Sequence, residues 1–281
     1  MGTRSLLPRL ADDQQKGKIP VSSVIQTILA RKSVRAYEEQ AIPVDVRDTI
    51  LQAALRAPTA GNMMLYSVLF VSDQEIKEKL VKTCDNQPFI ARAPLVLLFL
   101  ADYQRWYDYF KFSGVRRYCE AQGSQMLKPE EGDLFLACCD ALVAAQTAVL
   151  AAESLGVGSC YIGDIMENYE THKDLFDLPQ YVFPICLLCF GYPTEQQKRR
   201  PMTPRFDSRY VVFENQYKRL SEDELRAMMH DRSLEGKAEA GDQINLGLRT
   251  YRRKFSADFA VEMRRSVRAM LDTWCGPADN P

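Results

Sequence analysis

Apolar side chains recur at helical spacing through Val24, Ile25, Ile28 and Leu29, which predicts a helix starting at Ser22 or Ser23. The same spacing through Val46, Ile50, Leu51, Ala54 and Leu55 predicts a helix over 45–56, stopped at Ala57-Pro58. Leu65 to Val71 reads as a strand. Ser72-Asp73-Gln74-Glu75 has capping-box spacing and opens a short helix through Ile76, Leu80 and Val81. Pro94 to Leu100 is a continuous apolar run of strand length, expected to be a central strand covered on both faces. Residues 103–132 break the pattern: Trp106, Tyr107, Tyr109, Phe110, Phe112 and Tyr118 sit among polar residues, and the segment reads as irregular. From Asp133, its expected cap, to about Leu155 the chain is apolar nearly all round. That marks a helix buried on most sides, of the kind found at subunit interfaces. Cys160 to Ile162 and Pro184 to Phe190 read as strands, the second ending at Gly191-Tyr192-Pro193.

These elements suggest one compact domain of α/β type over 21–230, with a mobile arm at 1–20 and a charged helical extension at 231–281. No internal repeat or Gly/Ser-rich linker divides it. Lys and Arg number 36 against 37 Asp and Glu, a net charge of −1, so neither nucleic acid nor an anionic membrane attracts the chain as a whole. Any anion site must be local. Leu134 to Ala152 is the best candidate membrane span, but Asp140, Gln146 and Thr147 interrupt it, and a central Asp costs roughly 2.5–3.5 kcal/mol on insertion scales. A helix in a soluble core is the better reading. Met1 to Pro20 is polar, with no apolar stretch of signal-peptide length, and the 8 cysteines read as free thiols; a cytoplasmic location is expected.

Three segments offer anion-binding groups beside helix boundaries. In Arg31-Lys32-Ser33-Val34-Arg35 an extended backbone would set Arg31, Ser33 and Arg35 on one face, the mixture of charge and hydroxyl that phosphate recognition uses. Alone, the segment also reads as a solvated charged turn. Ala57-Pro58-Thr59-Ala60-Gly61-Asn62 lets backbone amides approach a ligand closely, or is a plain connecting turn. Gly156-Val157-Gly158-Ser159-Cys160-Tyr161-Ile162-Gly163-Asp164 opens like a dinucleotide fingerprint, but Gly156 follows a long helix rather than a strand, the wrong topology for a Rossmann turn.

In this order the three segments resemble the nitroreductase family of FMN enzymes. Further matches are Gln87, Leu178-Pro179 through Gly191-Tyr192-Pro193, Lys198-Arg199-Arg200-Pro201, Pro204-Arg205-Phe206 and Val211 to Tyr217; the resemblance covers roughly 22–230. It implies an α+β fold with a mixed central sheet flanked by helices, N- and C-terminal arms, and an intertwined homodimer with FMN at the subunit interface. Arg31, Ser33, Arg200 and Arg205 are implied in phosphate and ribityl contacts, Arg35 near flavin N1 and O2, and Lys32 as a further contact. Pro58, Thr59, Ala60, Gly61 and Asn62 are implied in lining the ring and ribityl chain from the partner subunit. Gln87, Tyr161 and Ile162 are implied in cofactor contact, with backbone groups of Gly163 and Asp164 facing N5. Met64 stands where members often have glutamine, Leu65-Tyr66 replaces a frequent Pro-Trp pair, and Thr203 stands for a lysine; these bear on pocket shape, hence on substrate.

The implied activity is ping-pong hydride transfer from NADH or NADPH through FMN to a small planar acceptor, a nitroaromatic, quinone or flavin, under a lid formed by 103–132. In that scheme Arg35, Gly163 and Asp164 serve the reaction itself. Two rivals stand beside it: a specialised reductive dehalogenase or flavin destructase, and a flavin-binding protein without turnover. Cys186-Leu187-Leu188-Cys189 has CxxC spacing, but on a strand the two thiols point to opposite faces and read as inert. His172 and His230 lie in polar helical context and are expected at the surface, and no metal-ligand cluster appears. The basic stretch from Arg249 to Arg268 is expected to be the solvated face of a helix packed on the dimer.

Overall fold

The computed structural model describes residues 23–235 and 246–277; the expected arm at 1–20 and parts of the extension, 236–245 and 278–281, lie outside them. The chain divides into a larger unit (27–200 with 257–281) and a smaller one (1–26 with 201–256).

The larger unit is built on four strands, β1 (Tyr66–Phe70), β2 (Leu95–Asp102), β3 (Gly158–Ile162) and β4 (Val182–Gly191), in the order β1-β2-β4-β3. All three pairings are antiparallel, where the resemblance implies a mixed sheet. Among the described residues, parallel pairing is confined to one bridge, Ser33 to Ser159; Tyr37, farther along, bridges Pro193 in the antiparallel sense. The apolar run at 94–100 does become the covered central strand: every residue of β2 is buried. Period-two alternation splits the core. Leu97, Phe99, Cys186, Leu188 and Phe190 face one side, and Val96, Leu98, Leu100, Leu187 and Cys189 face the other. Cys186 and Cys189 thus lie on opposite faces, and all eight cysteines are unpaired. Pairing jumps from Phe99–Cys186 to Leu100–Pro184, a bulge beside Pro184, which has no N–H for the ladder.

The helices before β3 are α1 (Ser23–Ala30), α2 (Val44–Leu55), α3 (Gln74–Thr83), α4 (Phe89–Arg92), α5 (Gln104–Phe112), α6 (Val115–Ala121) and α7 (Glu131–Ser154). Asp73, not Ser72, caps α3 by accepting from Ile76 N at 3.0 Å. Glu130 caps α7, and Asp133 sits three residues in, completing a capping box. The inner side of α7, from Ala137 through Ala141, Ala144 and Ala148 to Ala152, packs on β2, β3 and β4. Alanine lets the helix approach the sheet closely. Its length and apolarity match a membrane span, the one such helix among the described residues, yet its buried side is the core of this unit.

The segment 103–132, read as irregular, contains α5 and α6 instead. Tyr103, Trp106, Tyr107 and Phe110 follow i, i+3, i+4, i+7 spacing, and Tyr107 packs edge-on against Tyr181 at 4.9 Å. After β3 come α8 (Tyr169–Leu175) and, beyond β4, α9 (Glu195–Arg199). In the smaller unit lie α10 (Glu222–Glu235), capped reciprocally by Ser221 and Glu224, and α11 (Leu246–Thr250). The last helix, α12 (Asp258–Cys275), belongs to the larger unit and is built into its core. Trp274 is fully buried, stacks edge-on with Tyr181 at 5.5 Å and donates to Glu130 O at 3.1 Å.

His172 is not at the surface. It is fully buried, with Nδ1 2.8 Å from Ile165 O and Nε2 2.8 Å from Thr83 Oγ1, and burial holds its pKa below the usual histidine range. Its polar neighbours hid an i, i+3 pair, Tyr169 and His172, which faces inward on α8. His230, on α10, is exposed as expected.

Candidate functional site

β3 is an edge strand, and the segment after α1 runs along its open side. Val34 N donates to Ser159 O at 2.8 Å, and Val34 is buried against Gly158. The two glycines of the false fingerprint have structural duties. Gly156 (φ +76°) ends α7 in the left-handed conformation, while Val157 N donates back to Ala152 O at 2.9 Å. Gly158 is needed for proximity: a Cβ there would lie 2.6 Å from Val34 Cγ2. Gly158→Ala should therefore cost about 1–3 kcal/mol in urea unfolding, and Val34→Ala in the same chain should recover part of that loss.

The basic segment after β4 meets this edge. Lys32 Nζ donates to Lys198 O and Arg200 O, both at 2.6 Å, and Arg200 donates to Ser33 O at 2.9 Å. Arg35 N donates to Gln197 Oε1 at 3.4 Å. Lys32, implied as a cofactor contact, therefore uses its ammonium as a strut between the two basic segments. Lys198 and Arg199 pair with Glu195 at 2.6 and 3.9 Å. By contrast, among the described residues no carboxylate lies within ion-pair distance of Arg31, Arg35 or Arg200. All three guanidiniums act on Cys160, whose thiol is nonetheless pushed up, because burial outweighs them. An open cavity of about 520 Å³, lined by Glu195, Gln196, Gln197, Arg199 and Arg200, adjoins this junction. Glu153 accepts from Ser159 Oγ at 3.4 Å at this edge, and Arg31 and Lys32 act on its carboxyl, though burial outweighs them. One carboxylate among these cations leaves a net positive edge, of a kind that suits an anion.

At the far end of β3, Tyr161 and Ile162 point to opposite faces. Tyr161 OH donates to Gln146 Oε1 at 3.2 Å and Ile162 is buried in the core, so only their backbones remain for a ligand. Gly163 is exposed, with no atom within 4 Å of where a Cβ would stand. Beside it, Asp164 Oδ2 accepts from Gln87 Nε2 at 2.7 Å, which brings two of the implied site residues together.

The loop after Pro58 is organised separately, around a residue that sequence reasoning treated only as a flaw in an apolar helix. Asp140 of α7, 5% exposed, accepts from Thr59 Oγ1, from Ala60 N at 3.0 Å and from Leu65 N at 3.1 Å. Gly61, Asn62 and Met64 adopt positive φ within this loop (56°, 58° and 52°), and Trp106 Nε1 of α5 closes it by donating to Met63 O at 2.7 Å. None of the loop's hydrogen bonds reaches the Arg31–Arg35 or Gln87–Asp164 groups. Arg205 lies in the smaller unit, where its guanidinium donates to Thr203 O at 3.5 Å.

Comparison with known proteins adds three kinds of match. The model of the Nitroreductase family matches residues 28–192. An NADPH-flavin oxidoreductase of Vibrio harveyi is 27% identical over 253 residues, 90% of this chain and 98% of that protein. An FMN reductase (NADPH) of Bacillus subtilis (strain 168) is 30% identical over 211 residues, 75% of this chain and 80% of its own. Among solved structures, B. megaterium NfrA2 superposes with a TM-score of 0.72 at 28% identity, covering 92% of this chain and 99% of its own.

Proposed function

This chain belongs to the nitroreductase family, and on that premise we propose that it is an FMN-dependent oxidoreductase fed by NADH or NADPH. The observation that carries the proposal is the trio Arg31, Arg35 and Arg200, gathered at the Ser159–Cys160 edge with no carboxylate in ion-pair distance and only Glu153 acting on Arg31 from farther off. A terminal phosphate and an electron-rich ring edge are what such a trio suits. The relatives' names, NADPH-flavin oxidoreductase and FMN reductase, support the same choice.

When bound, FMN supplies the redox chemistry, taking a hydride and passing on its electrons. The protein's part is positioning and electrostatics. Arg31, Ser33 and Arg200 hold the phosphate and ribityl chain, and Lys32 keeps the two basic segments in register. Arg35 sets a permanent positive charge where negative charge accumulates. The backbone of Gly163 and Asp164 would border the reacting edge of a bound flavin, beside the open space over Gly163. No side-chain base is required for the hydride step. The larger unit's one histidine is locked in the core, and the Cys160 thiol is held neutral by burial. The aromatic helix α5, tied to the 59–65 loop through Trp106, serves as a wall for planar acceptors.

The active form is a homodimer. On α7, opposite the buried alanines, Phe135, Leu136, Leu142 and Val143 form a second apolar stripe, 69%, 43%, 43% and 39% exposed. A second copy of the chain covers it, and the Thr59–Asn62 loop lines the partner's ring site. Leu142→Glu should shift the protein to monomer in light scattering and lower FMN retention together, since burying one such leucine is worth about 1.5–3 kcal/mol. Unpaired cysteines support a cytoplasmic location.

Mass spectrometry of the released cofactor should show FMN. Steady-state coenzyme oxidation should give parallel double-reciprocal lines with nitroaromatic, quinone or flavin acceptors. FAD in the released cofactor would refute the assignment, and bound FMN without turnover would favour a storage protein.

A further inference from the structure

Beyond Gly163 the chain makes a tight turn, Gly163–Met166, then passes Glu167 into α8. Glu167 is 3% exposed, and its Oε1 has no hydrogen-bond partner. Its carboxyl lies within hydrogen-bond reach of the Asp164 side chain, and Asp85 and Glu262 add negative charge nearby. Among the described residues no cation answers it. Arg265 of α12 is engaged with Glu170 and Glu262 at 2.7 and 2.8 Å. The His172 ring meets only the Glu167 backbone, and burial keeps it neutral; burial likewise keeps the Cys84 thiol, at the end of α3, neutral. The backbone beside Glu167 is held in place through Asn168, which is pinned on both sides. Its backbone N donates to Glu262 Oε1 at 3.1 Å, and its side chain donates to Thr83 O at 2.9 Å.

Glu167 is buried and Asp164 half-buried; with a carboxylate this close, the buried member of the pair keeps its proton. Burial first, then the Asp164 charge, pushes Glu167 up to about 8. Asp164 in turn accepts from Gln87 Nε2, which also donates to Cys84 O at 3.0 Å. We propose that Glu167 is a positioning residue: as the neutral acid it donates a hydrogen bond to Asp164, and so fixes the Asp164–Gln87 pair at the open end of β3. The proposal rests on reading Gly163 and Asp164 as the cofactor-facing edge. At alkaline pH the proton leaves to solvent, the two carboxylates repel, and the edge loses its fixed geometry.

Three readouts on wild type, Glu167→Gln and Glu167→Ala test this. Wild type at neutral pH should show an infrared carbonyl band of a protonated acid, lost as pH rises and absent from Glu167→Gln. The folded chain keeps this proton to higher pH than the unfolded chain, where the group titrates near 4.5. That stabilisation is therefore present at acid pH and lost as pH rises through about 8, so wild type should lose melting temperature over this range relative to Glu167→Gln. FMN affinity, followed by flavin fluorescence from about pH 7 upward, where the phosphate is already mostly dianionic, should weaken about tenfold in wild type. Glu167→Gln, still a donor, should bind as wild type does at neutral pH and stay flat; Glu167→Ala should bind weakly throughout. A Glu167→Gln protein that keeps the alkaline loss, or a wild type without the acid band, overturns the proposal. If wild type takes up no FMN at all, the proposed function fails on its own, and the band and melting curves still decide whether the pair holds its proton.

Discussion

Asp140→Ala is expected to lower the unfolding free energy by about 3–5 kcal/mol and to release the cofactor together with the 59–65 loop. The carboxylate satisfies the Thr59 hydroxyl and the Ala60 and Leu65 amides at a site 5% exposed. Alanine would leave those donors facing an apolar helix, and each unmet group costs about 1–3 kcal/mol. Asp140→Asn keeps one acceptor but sets an amide NH₂ against the remaining donors, so an intermediate loss is expected. Denaturant titration of FMN-free protein isolates the structural cost, and fluorescence titration with FMN reports the loop. An Asp140→Ala protein as stable as wild type would show that the loop is held by something other than this carboxylate.

Arg35→Ala is expected to slow coenzyme oxidation about a hundredfold at saturating FMN, the usual effect of losing one electrostatic contact to developing charge. Arg200→Ala should act differently, weakening FMN retention, and excess FMN should restore most of the rate. His172→Asn should lose stability, since His172 is fully buried with both ring nitrogens engaged, yet keep the rate within a few-fold once folded. Stopped-flow reduction of FMN-saturated variants separates the three. If the folded His172 variant loses reduction while the Arg35 variant keeps it, the division of roles is wrong.

Much of the scaffold was legible because it rests on short-range periodicity. The uninterrupted run before Leu100 announced the covered strand, alternation placed Cys186 and Cys189 on opposite faces, and the alanine-rich stretch announced α7. That the two basic segments come together was legible only through the family resemblance of their order along the chain. That Lys32 braces them depends on carbonyls 166 and 168 residues away. Asp140 was visible as an anomaly in an apolar helix, but its duty depends on donors 75 to 81 residues earlier. The aromatics at 103–112 were read as irregular because polar residues and Gly114 masked a helical stripe that Tyr181 and Met63 make sense of only in three dimensions. Sheet direction was set by connections whose course no local pattern records.

The central claim is that this chain carries FMN and passes it a hydride from a nicotinamide coenzyme. Anaerobic titration of the purified, FMN-reconstituted protein with NADPH, and separately with NADH, tests that most directly. The flavin absorbance should bleach with one equivalent of coenzyme per site and return when a quinone or nitroaromatic is added. A protein that fails to take up FMN, or whose bound flavin stays oxidised with both coenzymes, would contradict the account.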